Sequence, residues 1–436
     1  MQSLFRNIII GLIFCVTTLL LLSCGHTSSA REDLLHYKDE KICILSINIS
    51  TIATRASESS VKEQINSFRI IMIGNDTVEL NKKITQNTNA ADFNYFLTLP
   101  TSFGKKKFYL FANEDNVNDL QFQENRIPPG MTAPISLTNY LESFKEGNLA
   151  SEFSELIYFS PDYKTDNNII SLPYSSVYEV NVTNSAQDID MYLVPAATKF
   201  TFNFFNYRLT SYPIILEGLS INEVNPKTYL FGQVGREDYN KFVPGETEPS
   251  YWIDWLAKVS KLSQNEDGFS NNVNFNEKYG WIKDYSIPEY NNNTQTHFFF
   301  AATGASGTTT PVDPMLIYGG HEDETDEETI IPYVLTLGPY YIPESKNIID
   351  PDTEGELSEG QQAYFLTIDW KESEEYKEMP EFTNVVISNL QALFRNTNII
   401  INIRMRQGDV EIYAEIADWN SKSIKGWANE GSVPNL

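Results

Sequence analysis

The side chains able to do acid, base or nucleophilic chemistry are few and scattered. The four histidines are His26, His36, His297 and His321. His297 precedes Phe298-Phe299-Phe300, which reads as a residue at a sheet edge rather than a base. His321 heads the run His-Glu-Asp-Glu-Thr-Asp-Glu-Glu over 321–328, where a calcium loop would need alternating oxygen ligands and a turn glycine. That glycine is missing, so the run reads as a solvated acidic loop, and no metal or cofactor site is expected. No phosphate-cradling glycine loop and no Gly-x-Ser-x-Gly elbow occurs. Carboxylates are plentiful, but nothing singles out two of them as a glycosidase pair. The residues point away from an enzyme.

The cysteines and one arginine carry a different chemistry. Cys15 lies in an apolar run, and Cys24 closes Leu21-Leu22-Ser23-Cys24 behind the basic Arg6 and the stretch Ile8–Leu22. A charged start, a short apolar core and a small-residue processing site mark a secretory signal. The core is shorter than the roughly 20 apolar residues a spanning helix needs. Leu-Leu-Ser-Cys resembles the bacterial lipobox, in which the cysteine thiol takes a diacylglycerol and becomes the new N-terminus. Beyond Cys43, Thr51-Ile52-Ala53-Thr54-Arg55-Ala56-Ser57-Glu58 is small and polar around one cation. An extended segment of this kind presents Arg55 to the carboxylate-lined pocket of a trypsin-like protease. Read without that protease, Arg55 is a linker charge and 42–49 an ordinary first strand.

These features need elements to position them, and the elements are strands. Lys41–Ser50 alternates, placing Leu45, Ile47 and Ile49 on one face and Ser46, Asn48 and Ser50 on the other. Phe68–Gly74 reads as a strand entering a turn at Asn75-Asp76, and Asn398–Met405 and Val410–Ile416 flank a hairpin turn at Gln407-Gly408-Asp409. Phe200–Phe204 and many other short runs alternate in the same way. Aromatics make up 13% of the chain, which suits strands. Helical spacing is confined to 137–149 and 251–262. The expected architecture is all-β, a pair of sandwiches with minor helical insertions. The net charge of −26 over 436 residues excludes nucleic acid as a partner.

Cutting at Arg55-Ala56 would remove the lipid and the strand 42–49 together. A sandwich that loses a strand exposes an apolar groove edged by unpaired N–H and C=O groups, a template for an incoming strand. The competing reading is a lipid-anchored, unpolymerised surface glycan-binding lipoprotein using Trp252, Trp255, Trp281 and Trp427 as platforms.

Segments spread along the chain resemble the Bacteroidales fimbrillins, the major and accessory subunits of type V pili. They include Ile65–Ile73, Phe108–Asn113 with its Ala-Asn ending, Leu172-Pro173-Tyr174, Leu193–Phe200, Leu219–Leu230, Tyr340–Glu344, Phe394–Ile403 and Glu415–Trp419. The resemblance implies two tandem transthyretin-like β-sandwich domains. It divides the chain into a lipoprotein signal peptide (1–23), a lipidated propeptide with a first strand (24–55), an N-terminal domain (56–210) and a C-terminal domain (211–436). It further implies lipidation at Cys24, cleavage between Arg55 and Ala56 by an arginine-specific protease, and displacement of Leu45, Ile47 and Ile49 by a donor strand. The implied partners are other fimbrial subunits, a host or bacterial surface receptor, and the outer membrane through the lipid before cleavage. The implied location is the outer membrane and the extracellular fimbrium. The tail 420–436 is polar and does not alternate, which departs from a stalk subunit and fits a tip or accessory one.

Overall fold

In the computed structural model the described residues are 42–51, 61–122, 127, 130–150, 157–163, 168–183, 186–231, 295–301, 314–323, 329–346, 364–371, 382–386, 392–393 and 395–418. The chain is all-β. Its first half opens with β1 (Ile42–Thr51), β2 (Lys62–Gly74), β3 (Thr77–Asn89), β4 (Asn94–Ser102) and β5 (Gly104–Ala112). The short β6 (Leu120–Phe122), helix α1 (Leu137–Glu142), β7 (Ile157–Phe159) and β8 (Ile169–Ile170) follow. The long β9 (Tyr174–Val182) and β10 (Ala186–Pro195) close this half.

Strands β3-β2-β5-β9-β10-β1-β4 are hydrogen-bonded in that order, with β8 added to β2. The path turns a corner where β9 meets β10, which pair only at Val194–Ser175 and Pro195–Tyr174. The edge strands β3 and β4 are consecutive in the chain, joined by a single 3₁₀ turn at Ala90–Asp92. The sheet is therefore rolled on itself. One core lies inside the roll, where Leu45, Ile47 and Ile49 meet Phe68, Ile70, Phe108, Leu110, Tyr178 and Met191. A second core covers the opposite face of β2, β5 and β9. There Ile71, Tyr109, Phe111 and Val177 pack against α1, β6 and β7. Strands buried on both faces need apolar residues at successive positions, and this explains Phe108-Tyr109-Leu110-Phe111 in β5.

The expected turns form. Asn75 and Asp76 both adopt positive φ between β2 and β3, the backbone that a two-residue hairpin requires. Of the helix expected over 137–149, only Leu137–Glu142 forms. Ser136 caps its start through Asn139 N–H, and the backbone leaves the helix before Gly147, which has φ +83°. The segment expected to be helical at 251–262 lies outside the described residues.

Between Pro195 and Thr198 the pairing changes over. The second half contains β11 (Thr198–Asn206), β12 (Ile214–Val224), β13 (Thr228–Tyr229), β14 (Gln295–Ala301) and β15 (Met315–Ile317). Next come β16 (His321–Glu322), β17 (Ile330–Ile331), β18 (Tyr333–Ile342) and β19 (Ser345–Lys346). The last strands are β20 (Phe365–Lys371), β21 (Phe382–Val386), β22 (Ala392–Leu393), β23 (Thr397–Arg406) and β24 (Asp409–Asp418). Sheet β18-β11-β23-β24 faces sheet β14-β12-β20-β21, and Phe200, Phe202, Leu216, Ile221, Leu366, Trp370, Ile401 and Ile403 fill the space between them. Strand β11 thus belongs with the C-terminal strands although it precedes residue 210. Gln407 and Gly408 form the turn between β23 and β24, Gly408 with φ +76°. No helix among the described residues is long and apolar enough to cross a membrane.

Candidate functional site

The sequence marks β1, and the structure gives it an unusual position. It runs parallel to β10 and antiparallel to β4, so it fills a slot between two strands. Leu45, Ile47 and Ile49 are each 0% exposed, and Cys43 completes the inward row. Across β4, Cys43 faces Thr101, Leu45 faces Leu99, Ile47 faces Leu97 and Ile49 faces Tyr95. Across β10, Leu45, Ile47 and Ile49 face Gln187, Ile189 and Met191. The Thr51 hydroxyl ends the strand by donating to the Ala90 carbonyl at 2.7 Å, the turn that joins the sheet's two edges.

Two further observations bear on removal of this strand. Among the described residues, β4 is hydrogen-bonded to β1 and to no other strand. Cys43 is a free thiol, which burial holds above its ordinary pKa and therefore protonated, so no disulfide anchors β1. Its retention rests on the ladder and on burial of aliphatic side chains. Residues Cys24, Arg55 and Ala56 lie outside the described residues, as do Trp252, Trp255, Trp281 and Trp427.

Downstream of the arginine segment, β2 is fastened at its first turn. Lys62 N–H donates to Asn168 O at 2.7 Å. The Glu63 carboxylate lies 2.7 Å from the Lys199 ammonium on β11 and accepts from the Tyr341 hydroxyl on β18 at 2.9 Å. Burial pulls the Lys199 pKa down while the Glu63 carboxylate opposes that pull. Burial and the same carboxylate push the Tyr341 and Tyr174 phenols up, so both remain protonated donors. Glu63 therefore ties the start of the rolled sheet to the second sandwich.

A second clamp joins the halves. Arg395 and Glu344 are each 1% exposed and form a two-pronged ion pair, with Arg395 Nε 2.9 Å from Glu344 Oε2. Glu344 also accepts from the Thr228 hydroxyl at 2.8 Å, and Arg395 donates to Tyr229 O at 2.6 Å and Leu230 O at 3.2 Å. The clamped segment carries β13, which pairs with β7, and Phe231, whose ring lies 5.4 Å from that of Phe111. A buried ion pair satisfied on so many sides fixes one arrangement of the chain.

The Ala112-Asn113 ending singled out in the sequence is also explained. Asn113 sits in the left-handed region at φ +56°. Its side chain accepts from Asn66 N–H and donates to Gln64 O and Leu172 O, tying β2 and β5 to the turn before β9. These knots escaped sequence reasoning as sites, although most of their residues fall in the segments carrying the family resemblance. Their type alone, a charged residue inside an apolar strand such as Lys199 beside Phe200, was the available signal.

A cleft of about 340 Å³ lies where the halves meet, lined by Asp162, Tyr163, Asn225, Gln295, Phe298 and Tyr340, among others. His297 stands on β14, the edge strand of its sheet, and burial lowers its pKa to about 4. Its ring is neutral near pH 7. Strand β16 pairs His321 with Ile331. Among the described residues, no group of three or more His, Cys, Asp or Glu side chains is gathered for a metal.

No family model matches this sequence, and no curated protein matches it. Among solved structures the chain is similar to the tip fimbrial protein Mfa3 from Porphyromonas gingivalis with C-terminal truncation. The identity is 11% and the TM-score 0.40, over 87% of this chain and 100% of that one. It is also similar to a fimbrial assembly protein from Parabacteroides distasonis, at 9% identity and a TM-score of 0.37, covering 87% and 100%.

Proposed function

We propose that this chain is a structural or adhesive subunit of a cell-surface fimbria. It is exported as a lipoprotein on Cys24, held at the outer membrane by that lipid, then cut between Arg55 and Ala56 by an arginine-specific protease. Strand β1 leaves, and an extended segment of another fimbrial subunit takes its slot. A host or bacterial surface receptor is the remaining partner of an adhesive subunit at a fimbrial tip.

The observation that carries this reading is the state of β1. It is a full ten-residue strand with four inward side chains in the core, and its only chain connection to β2 runs through residues 52–60, which contain Arg55. One cut in that connection turns β1 into a separate, non-covalently held peptide. Its exit would uncover hydrogen-bonding edges on β10 and β4 together with an apolar trough. The fastening of β2 at Lys62 and Glu63 lies beyond the cut and stays intact.

The aromatic cleft favours a second reading, the lipid-anchored glycan-binding lipoprotein that is not polymerised. The N-terminus and intact mass of the protein recovered from the cell surface separate the two. A start at Ala56 in high-mass assemblies is expected for the fimbrial subunit. A monomer still lipidated at Cys24 overturns it in favour of the anchored protein.

A further inference from the structure

The slot specifies more than an alternating strand, and this inference rests on the exchange reading above. We infer that the incoming strand carries cationic residues at the outward positions now held by Ser46 and Asn48.

Register follows from the trough. The inward residues of a replacement must occupy the sites of Cys43, Leu45, Ile47 and Ile49. A one-residue slip would turn the apolar row to solvent.

The outward row supplies the charge. Ser46 lies between Asp188 on β10 and Thr98 on β4, and Asn48 lies between Asp190 and Phe96. Both aspartates are exposed, and Asn48 Nδ2 already donates to Asp190 Oδ1 at 3.0 Å. Phe96 is 64% exposed, an uncovered ring beside that position. A lysine or arginine at the Asn48 position would reach the Asp190 carboxylate while its stem covers Phe96. A carboxylate there would face Asp190 directly, and like charges opposite one another destabilise a ladder. The chain's charge of −26 attracts a cationic strand from further away as well.

The test uses peptides with the β1 sequence Ile42–Thr51, added to the full chain after cleavage by an arginine-specific protease. One carries the native sequence, one Ser46→Lys with Asn48→Lys, and one Ser46→Glu with Asn48→Glu. A fourth has the lysines moved to its ends, which separates local pairing from overall charge. The lysine peptide is expected to bind at least about threefold more tightly than the glutamate peptide, the gap narrowing at about 1 M salt. Equal binding, a reversed order, or equal gain with terminal lysines overturns the inference while leaving strand exchange intact. If no peptide enters the cleaved chain, the exchange reading itself fails. Uncut Asn48→Lys and Asn48→Glu chains then decide the outward charge alone: the lysine variant must unfold at a higher temperature than the glutamate variant.

Discussion

Replacing Arg395 by methionine tests whether the clamp between the two halves holds them together. The substitution keeps most of the side-chain volume and removes the guanidinium. Glu344 would then retain a buried carboxylate stripped of its cation, and the carbonyls of Tyr229 and Leu230 would lose a donor each. Breaking a buried pair from one side costs about 3–5 kcal/mol, because the surviving charge stays desolvated. For a chain of this size that is a fall in Tm of roughly 3–6 °C. The same chain with Glu344→Leu added removes the stranded charge. It should recover at least about 2 kcal/mol relative to the sum of the single changes. Thermal unfolding followed by circular dichroism supplies the four Tm values (parent, both single variants and the double), and hydrogen exchange of β7 and β13 locates the loosening. A single-variant cost below about 1 kcal/mol, or strictly additive changes, would refute a role for the pair in joining the halves.

Two further outcomes follow from particular side chains. The folded pKa of His297 is about 4 against an ordinary 6.5, so the unfolded chain binds the extra proton between those values. Stability from this group is therefore complete above about pH 6.5 and falls as the pH drops towards 4, by roughly 3 kcal/mol in all. His297→Gln should flatten that part of the pH–stability curve, and an unchanged slope would assign it elsewhere. Ile47→Ala removes aliphatic volume from a fully buried site in β1 and should cost about 2–4 kcal/mol in the uncut chain. After cleavage, mass spectrometry of the retained peptide should show it leaving faster than the parent, and equal retention would mean that burial does not hold β1.

The strand character of this chain was legible because alternation is a local property. Leu45, Ile47 and Ile49 turn inward as their spacing predicts, and the chain turns at Asn75-Asp76 and at Gly408, where the residue types allow positive φ. What local pattern could not show is which sheet a strand joins. Phe200-Thr201-Phe202-Asn203-Phe204 reads as a strand in either half, and its allegiance is settled by β18 and β23, far along the chain. The parallel pairing of β1 with β10 is equally remote in sequence. The partners in the ion pairs Glu63–Lys199 and Glu344–Arg395 were hidden for the same reason: Lys199 beside Phe200 marks a charge in an apolar strand, but not which carboxylate meets it. The trough around β1 was half visible: its filling residues could be named, but not β4, which depends on them.

That dependence bears on the timing of exchange. With β1 gone, β4 would have no neighbour in the ladder, yet the short turn at Ala90–Asp92 would keep it within a few residues of β3. On the exchange reading β4 would be a strand tethered at both ends, to β3 through Ala90–Asp92 and to β5 through Phe103, and those tethers would keep its effective concentration at the slot high, in the millimolar range typical of short linkers. A newcomer would then need to zip only along β10 by collision. Pairing of β4 with its other edge would be an intramolecular event, whose speed would not depend on how much of the partner is present.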